Sequence, residues 1–273
     1  MTARPRLGAV ELTLRDATRP LLVLGPSLGT SVAALWSDVA ALLGDDLDVV
    51  GWDLPGHGTA PSPTPGELDG LTIGDLATAV LGVVERAQER RGDSGAPFWY
   101  AGVSVGGAVG QRLLLDAPGR VLGAALICTT TRFGEPSAWA ERADLVQRAG
   151  TPTQVEAAAG RWFAPGFLDR APEAALRLLA DLQTTDRFGY AAVCRALGGH
   201  DLRGRLGVVG VPVVAIAGAA DRATPPAQLA EIAQAVPGAR LRVLDGAAHL
   251  VPAERPQAVA ALVRDLVEGW VAA

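Results

Sequence analysis

The sequence predicts an α/β fold: a mostly parallel central sheet flanked by helices, with a helical cap inserted between two of its strands. Three observations predict it. Short β-branched or apolar runs alternate with longer helical patterns through the first half of the chain, the alternation stops near Thr129, and it resumes at Val211. Strands separated by helices are joined by crossovers, which make neighbours parallel and cover both faces of the sheet.

Taken in order, Val10–Arg15 and Pro20–Gly25 read as strands, Ser31–Leu43 as a helix and Leu47–Asp53 as a strand closed by the turn-rich stretch Leu54–Gly66. Thr72–Arg91 sets Leu76, Ala79, Val80, Val83, Val84 and Ala87 at helical spacing. Phe98–Val103 is a strand, Val105–Asp116 a helix and Val121–Cys128 a strand. From Phe133 to Gly199 only helical patterns occur: Ser137–Ala149, Gln154–Phe163, Pro172–Gln183 and Phe188–Leu197. Strand Val211–Ala217, helix Pro226–Val236, strand Arg240–Leu244 and helix Pro256–Val271 complete the pattern. The reading divides the chain into a core, residues 1–131 and 202–273, and a cap, residues 132–201, set over the carboxyl edge where ligands bind such sheets.

Composition narrows the function. With 49% hydrophobic and 19% charged residues over 273 positions, the chain can bury a large core and is not disordered. The net charge is −5, all 24 cations are arginine, and no basic stripe is dense enough to track nucleic acid. Cys128 and Cys194 are the only cysteines, which excludes a disulfide framework and a multi-cysteine metal site. Met1–Asp16 lacks the apolar core of a secretory leader, and the least charged stretches, Pro20–Ser37 and Gly95–Gln111, are broken by Gly, Pro and Ser. The expectation is a cytoplasmic protein with no membrane span, metal or organic cofactor; its oligomeric state stays open.

Gly102-Val103-Ser104-Val105-Gly106 joins a strand to a helix. A strand–turn–helix of this kind lifts a serine hydroxyl above the sheet, and its tightness demands small neighbours. The serine needs a base, and the chain has three histidines. His249 follows the last strand, where a base belongs. His57 sits in the turn Leu54-Pro55-Gly56-His57-Gly58 and His200 ends the helical block, so both are assigned to exposed or turn-stabilising roles. Asp221, just after strand Val211–Ala217, is the carboxylate that orients His249; capping the following helix is its other possible task. The order Ser104, Asp221, His249 is that of α/β-hydrolases, and the alternative acid position after Val121–Cys128 holds only threonines. An oxyanion needs two backbone donors, assigned to Val105 and Leu28.

Ser27-Leu28-Gly29-Thr30-Ser31 resembles the corresponding loop of the 3-oxoadipate enol-lactonases, an α/β-hydrolase family. The likeness continues through Asp53-Leu54-Pro55-Gly56-His57-Gly58, the segment Tyr100 to Gly110, Trp139-Ala140-Glu141-Arg142, Arg161-Trp162-Phe163, Tyr190 to Cys194, and Ala247-Ala248-His249-Leu250. Val105 departs from the leucine usual in the family, and Gly25-Pro26 from a more polar pair. The resemblance implies hydrolysis of a small anionic enol-lactone to 3-oxoadipate through a Ser-His-Asp triad and an acyl-enzyme. An anionic substrate calls for a cation, which without lysine means arginine or a charged histidine. Arg132, beyond the end of Val121–Cys128, is expected to face the cleft, with Arg161 of the cap as second candidate. Trp139 and Trp162 either wall the substrate or pack the cap on the core. The rivals are a carboxylesterase or cofactor-free perhydrolase on the same scaffold, and, from another class, a hydrolase-fold ligand receptor.

Overall fold

The computed structural model of the protein describes residues 5–15 and 17–271. Met1–Arg4 and Asp16, part of the stretch read for a leader, lie outside the described residues, as do Ala272 and Ala273. The strands are β1 (Gly8–Thr13), β2 (Leu21–Gly25), β3 (Asp48–Asp53), β4 (Phe98–Val103), β5 (Val121–Ile127), β6 (Val213–Gly218) and β7 (Arg240–Leu244). They form one sheet ordered β1-β3-β2-β4-β5-β6-β7. Only the β1–β3 pair is antiparallel among the described residues. Every residue of β2, β3, β4 and β6 is buried, so these strands carry no polar alternation, as befits a sheet covered on both faces. The edge strand β7 exposes part of its length.

The helices are α1 (Val32–Leu43), α2 (Ile73–Arg91) and α3 (Val105–Asp116); then α4 (Pro136–Ala149), α5 (Val155–Trp162), α6 (Phe167–Arg170), α7 (Pro172–Thr184) and α8 (Arg187–Gly198); and finally α9 (Pro226–Ala235), α10 (Val251–Glu254) and α11 (Pro256–Val271). Local chemistry sets several boundaries. Ser31 accepts the Ala34 N–H to start α1, Thr72 and Asp75 form a reciprocal capping box on α2, and Asp186 accepts two amides to start α8. Gly92, in the left-handed region at φ 80°, ends α2.

Some elements differ from the sequence expectation. Strand β1 runs two residues earlier than expected, and Arg15 N–H leaves the ladder to donate to Asp48 Oδ1 at 3.0 Å. Strand β6 begins at Val213, after Pro212, which has no N–H to donate. The helix expected over Gln154–Phe163 is α5, one residue shorter at each end, and a 3-10 turn that was not expected, Thr151–Gln154, precedes it. The four-residue helices α6 and α10 were not anticipated; one turn is too short to show a period.

Helices α4 to α8 lie between β5 and β6 in sequence, and α4 packs along α8. Polar ties fasten this block to the core, among them two at α7 and the start of α8. Asp181 of α7 accepts both the N–H and the hydroxyl of Ser31, at 2.8 and 2.6 Å. The Asp186 N–H donates to Gly56 O at 2.9 Å. Among the described residues no helix is long and apolar enough to cross a membrane.

Candidate active site

Ser104 stands between β4 and α3 at φ 56° and ψ −112°, a left-handed conformation that costs a non-glycine residue about 1–3 kcal/mol. Its surroundings over-determine it. The Ser104 N–H donates to Ile127 O at 2.9 Å, and the Ser104 carbonyl accepts the Ala108 N–H and the Thr129 hydroxyl at 2.9 and 2.8 Å. Gly106 N–H donates to Pro26 O at 3.0 Å, and Tyr100 OH donates to Gly106 O at 2.8 Å. A Cβ on Gly102 would lie 2.4 Å from the Gly106 backbone, and one on Gly106 would lie 2.6 Å from Pro26 O. The small residues around Ser104 are therefore a packing requirement of the turn.

The loop after β2 approaches the same turn. Thr30 N–H and hydroxyl both donate to Ser27 O, at 3.1 and 3.0 Å, and Gly29 takes φ 87°. Neither the Leu28 N–H of this loop nor the Val105 N–H at the start of α3 donates to an acceptor among the described residues. Leu28 and Ser104 line one cavity.

Asp221 and His249 come together from the ends of β6 and β7, with Asp221 Oδ2 accepting from His249 Nδ1 at 2.9 Å. The carboxylate is saturated: Oδ1 accepts the Ala223 and Thr224 amides at 2.8 and 3.0 Å, and Oδ2 also accepts the Thr224 hydroxyl at 2.7 Å. Asp221 thus caps the turn before α9 and orients His249 at once, joining the two tasks the sequence left as alternatives. Burial alone would raise its pKa, but His249 and Thr224 together outweigh burial and hold the carboxyl below its ordinary value. An ionised Asp221 keeps the proton on Nδ1 and leaves Nε2 as the free acceptor of the ring.

Cys128 adds a thiol to this group, its backbone at φ 44° and its Sγ donating to Ala248 O at 3.4 Å. Donor atoms of Cys128, Asp221 and His249 lie within 4.8 Å of one another, the one such set of possible metal ligands among the described residues. Burial first, then the Asp221 charge, pushes the thiol well above its ordinary pKa. With Asp221 already saturated, the set is organised for hydrogen bonding.

Ser104 and His249 line a cavity of about 140 Å³ whose other walls include Phe133, Trp139, Arg142, Arg161, Trp162 and Tyr190. A wider groove of about 300 Å³ lies away from Ser104, between α2 and the end of α8. In the cavity the arginines are the notable feature. Burial, and then the neighbouring Arg142, lower the Arg161 pKa, yet neither arginine has a carboxylate partner among the described residues. Arg142 lies 4.7 Å over the ring of Trp139. The Trp139 Nε1–H donates to Phe133 O at 2.6 Å, so this tryptophan both packs and lines the cavity.

Arg132 requires a correction. It is not among the cavity-lining residues; its Nη2 is bound to both oxygens of Glu135 at 3.1 Å, and its backbone forms a β-bridge with Asp201. The reason is local: Cys128 turns the chain at positive φ, Thr129–Thr131 are buried, and residue 132 emerges at the base of the helical block. Arg142 and Tyr190 were missed as lining residues. Arg142 lies three residues after Trp139 on α4, a spacing that shares a helix face and could have pointed to it. The remaining histidines are both buried, so the exposed alternative fails, while His57 is bonded within its turn. His57 Nδ1 lies 2.9 Å from Pro55 O with its ring stacked on Tyr190, and His200 packs on Phe133.

The chain matches the Alpha/beta hydrolase family over residues 21–262. It is 34% identical to 3-oxoadipate enol-lactonase 2 of Acinetobacter baylyi over 246 residues, covering 90% of this chain and 88% of the relative. It is 27% identical over 255 residues to the pimeloyl-[acyl-carrier protein] methyl ester esterase of Methylococcus capsulatus, covering 85% and 89%. The crystal structure of the enol-lactonase from Burkholderia xenovorans LB400 superposes with a TM-score of 0.87 at 31% identity, over 97% of each chain.

Proposed function

The chain belongs to the α/β-hydrolase family and is a carboxylic-ester hydrolase, and we propose that its substrate is a small enol-lactone bearing a carboxylate, opened to the 3-oxo dicarboxylate 3-oxoadipate. The observation that carries the reading is the pair Arg142 and Arg161, without carboxylate partners in the cavity that Ser104 and His249 line. Two partly desolvated cations side by side are costly unless an anion joins them. A compact, flat substrate also suits walls of Trp139, Trp162 and Tyr190.

The mechanism follows from the residues. His249 Nε2 takes the proton of Ser104 Oγ as the oxygen attacks the lactone carbonyl, and Asp221 stabilises the imidazolium through Nδ1–H. The Leu28 and Val105 N–H groups hold the oxyanion. Collapse breaks the ring C–O bond, and the enolate oxygen leaves with the proton from His249. The enol then becomes a ketone still tethered through the acyl-enzyme. Water, deprotonated by His249, attacks the acyl carbon, and Ser104 leaves with that proton. The residues complete this cycle with no metal or cofactor. Two free, buried cysteines fit a reducing, cytoplasmic setting.

The test is loss of enol-lactone absorbance with purified protein, read beside 4-nitrophenyl acetate. Arg161→Ala should lower kcat/KM for the lactone about ten- to a hundredfold, mainly through KM, while sparing the neutral ester. Arg142→Ala should act in the same direction. Parental kinetics on both substrates would favour the second reading, a neutral-ester hydrolase, which the similarity to the methyl ester esterase supports; equal losses on both would make Arg161 a support of the fold.

A further inference from the structure

Glu254 lies in α10, five residues beyond His249, and is 6% exposed. It is a buried carboxylate that the chemistry above does not use. Its Oε1 accepts the Ala164 N–H at 2.7 Å and its Oε2 accepts the Ala248 N–H at 2.6 Å. Ala248 precedes His249, and Ala164 lies two residues past Trp162, a wall of the cavity. Other bonds join the same two segments. The His249 and Leu250 amides both donate to Trp162 O, at 3.1 and 3.2 Å, and Arg170 Nη2 donates to Gly246 O at 3.2 Å. The segment 162–170 of the helical block is thus bonded along the histidine loop; the buried Glu254 carboxylate accepts from both, and the exposed Arg170 guanidinium donates to both, at Pro165 O and Gly246 O. Burial raises the Glu254 carboxyl above its ordinary value, and the two amides, Arg170 and Arg255 offset only part of that rise.

We infer that Glu254 is a positioning residue: it binds the cap segment carrying Trp162 to the loop carrying His249, so that the cavity wall and the base are held as one body. This rests on the reading of Ser104 and His249 as nucleophile and base. A carboxylate suits the task because it accepts two amides on opposite sides, whereas a glutamine at this position offers only one acceptor oxygen. The site therefore depends on the charge and on the span of the side chain together. A displacement of about 1 Å in a base costs on the order of a hundredfold in rate, so the tie acts on turnover rather than on affinity alone.

The experiment is the rate of Ser104 labelling by a fluorophosphonate, which needs the base but not the native substrate, together with kcat and KM for 4-nitrophenyl acetate. Glu254→Gln should slow labelling about ten- to a hundredfold and lower kcat likewise, with KM for the small ester within about twofold. Asp181→Ala, which unties the same helical block from α1 but not from the histidine loop, should label at the parental rate. Parental labelling by Glu254→Gln, or equal losses in both variants, would overturn the inference by reducing Glu254 to a support of the fold. A parent that resists the probe would instead overturn the assignment of Ser104 and His249, and the inference with it. Should Glu254→Gln fail to fold, hydrogen exchange of the parent decides. The Ala164, Ala248, His249 and Leu250 amides should exchange as one protected set, and a much faster His249 amide than Ala164 amide would refute a single body.

Discussion

Ser104 and Asp221 illustrate how single residues carry more than one demand. Ser104 is held at positive φ by bonds from three segments, and Asp221 accepts four hydrogen bonds while facing His249. Asp221→Asn keeps the shape but replaces one acceptor with a donor, forcing His249 into the other tautomer. We expect kcat to fall on the order of 10³- to 10⁴-fold with the circular dichroism spectrum unchanged; a loss smaller than tenfold would detach Asp221 from the proposed chemistry. The places of Ser104, Asp221 and His249 in the fold were legible because each sits at the end of a strand within a short motif; their catalytic roles are part of the proposed function. Arg132 was not, because its direction depends on the positive φ of Cys128, four residues earlier, which no side-chain pattern announces. Arg142, Tyr190 and Glu254 were hidden for another reason. Their roles come from packing between segments far apart in the chain.

At the scale of elements, the tie between α7 and α1 deserves a test of its own. Asp181 accepts two donors from Ser31, which also caps α1 through Ala34. Removing the carboxylate in Asp181→Ala strips a charged acceptor from a part-buried N–H and hydroxyl. The expected cost is about 1–3 kcal/mol, read as a lowered midpoint in urea with an unchanged slope. A change of slope instead would mean that the helical block unfolds separately. Strands and long helices were legible in the sequence because periodicity needs length: β4, α3, β7 and α11 match their expected bounds. The one-turn helices α6 and α10 lack that length, yet they flank the two segments joined by Glu254.

For the whole molecule, two buried histidines weaken the fold in acid, opposed by the buried Asp53 and Glu254, whose carboxyls burial raises. Burial pushes the pKa of His57 down to about 4; burial and then Arg112 do the same to His200, also to about 4. In the unfolded chain each returns to an ordinary value near 6.5. Between these values the unfolded chain binds more protons than the folded one, so stability falls as pH drops from about 6.5 towards 4, by up to about 3 kcal/mol per histidine. Thermal midpoints should decline across that window, and His200→Asn should decline less steeply than the parent. Identical slopes would place the acid sensitivity elsewhere. At the same scale, the cavity of about 140 Å³ beside Ser104 is walled by Phe133, Trp139, Trp162 and Tyr190. An ester discards its alcohol after acylation and clears space for the next nucleophile. A lactone discards nothing: under the proposed mechanism the whole opened chain stays tethered while water arrives. The deacylating molecule must then share the chamber with the full product skeleton, a constraint that water meets by its size and bulkier alcohols do not. Confinement would thereby guard the ring-opened intermediate against transesterification, a form of chemoselectivity set by vacant space.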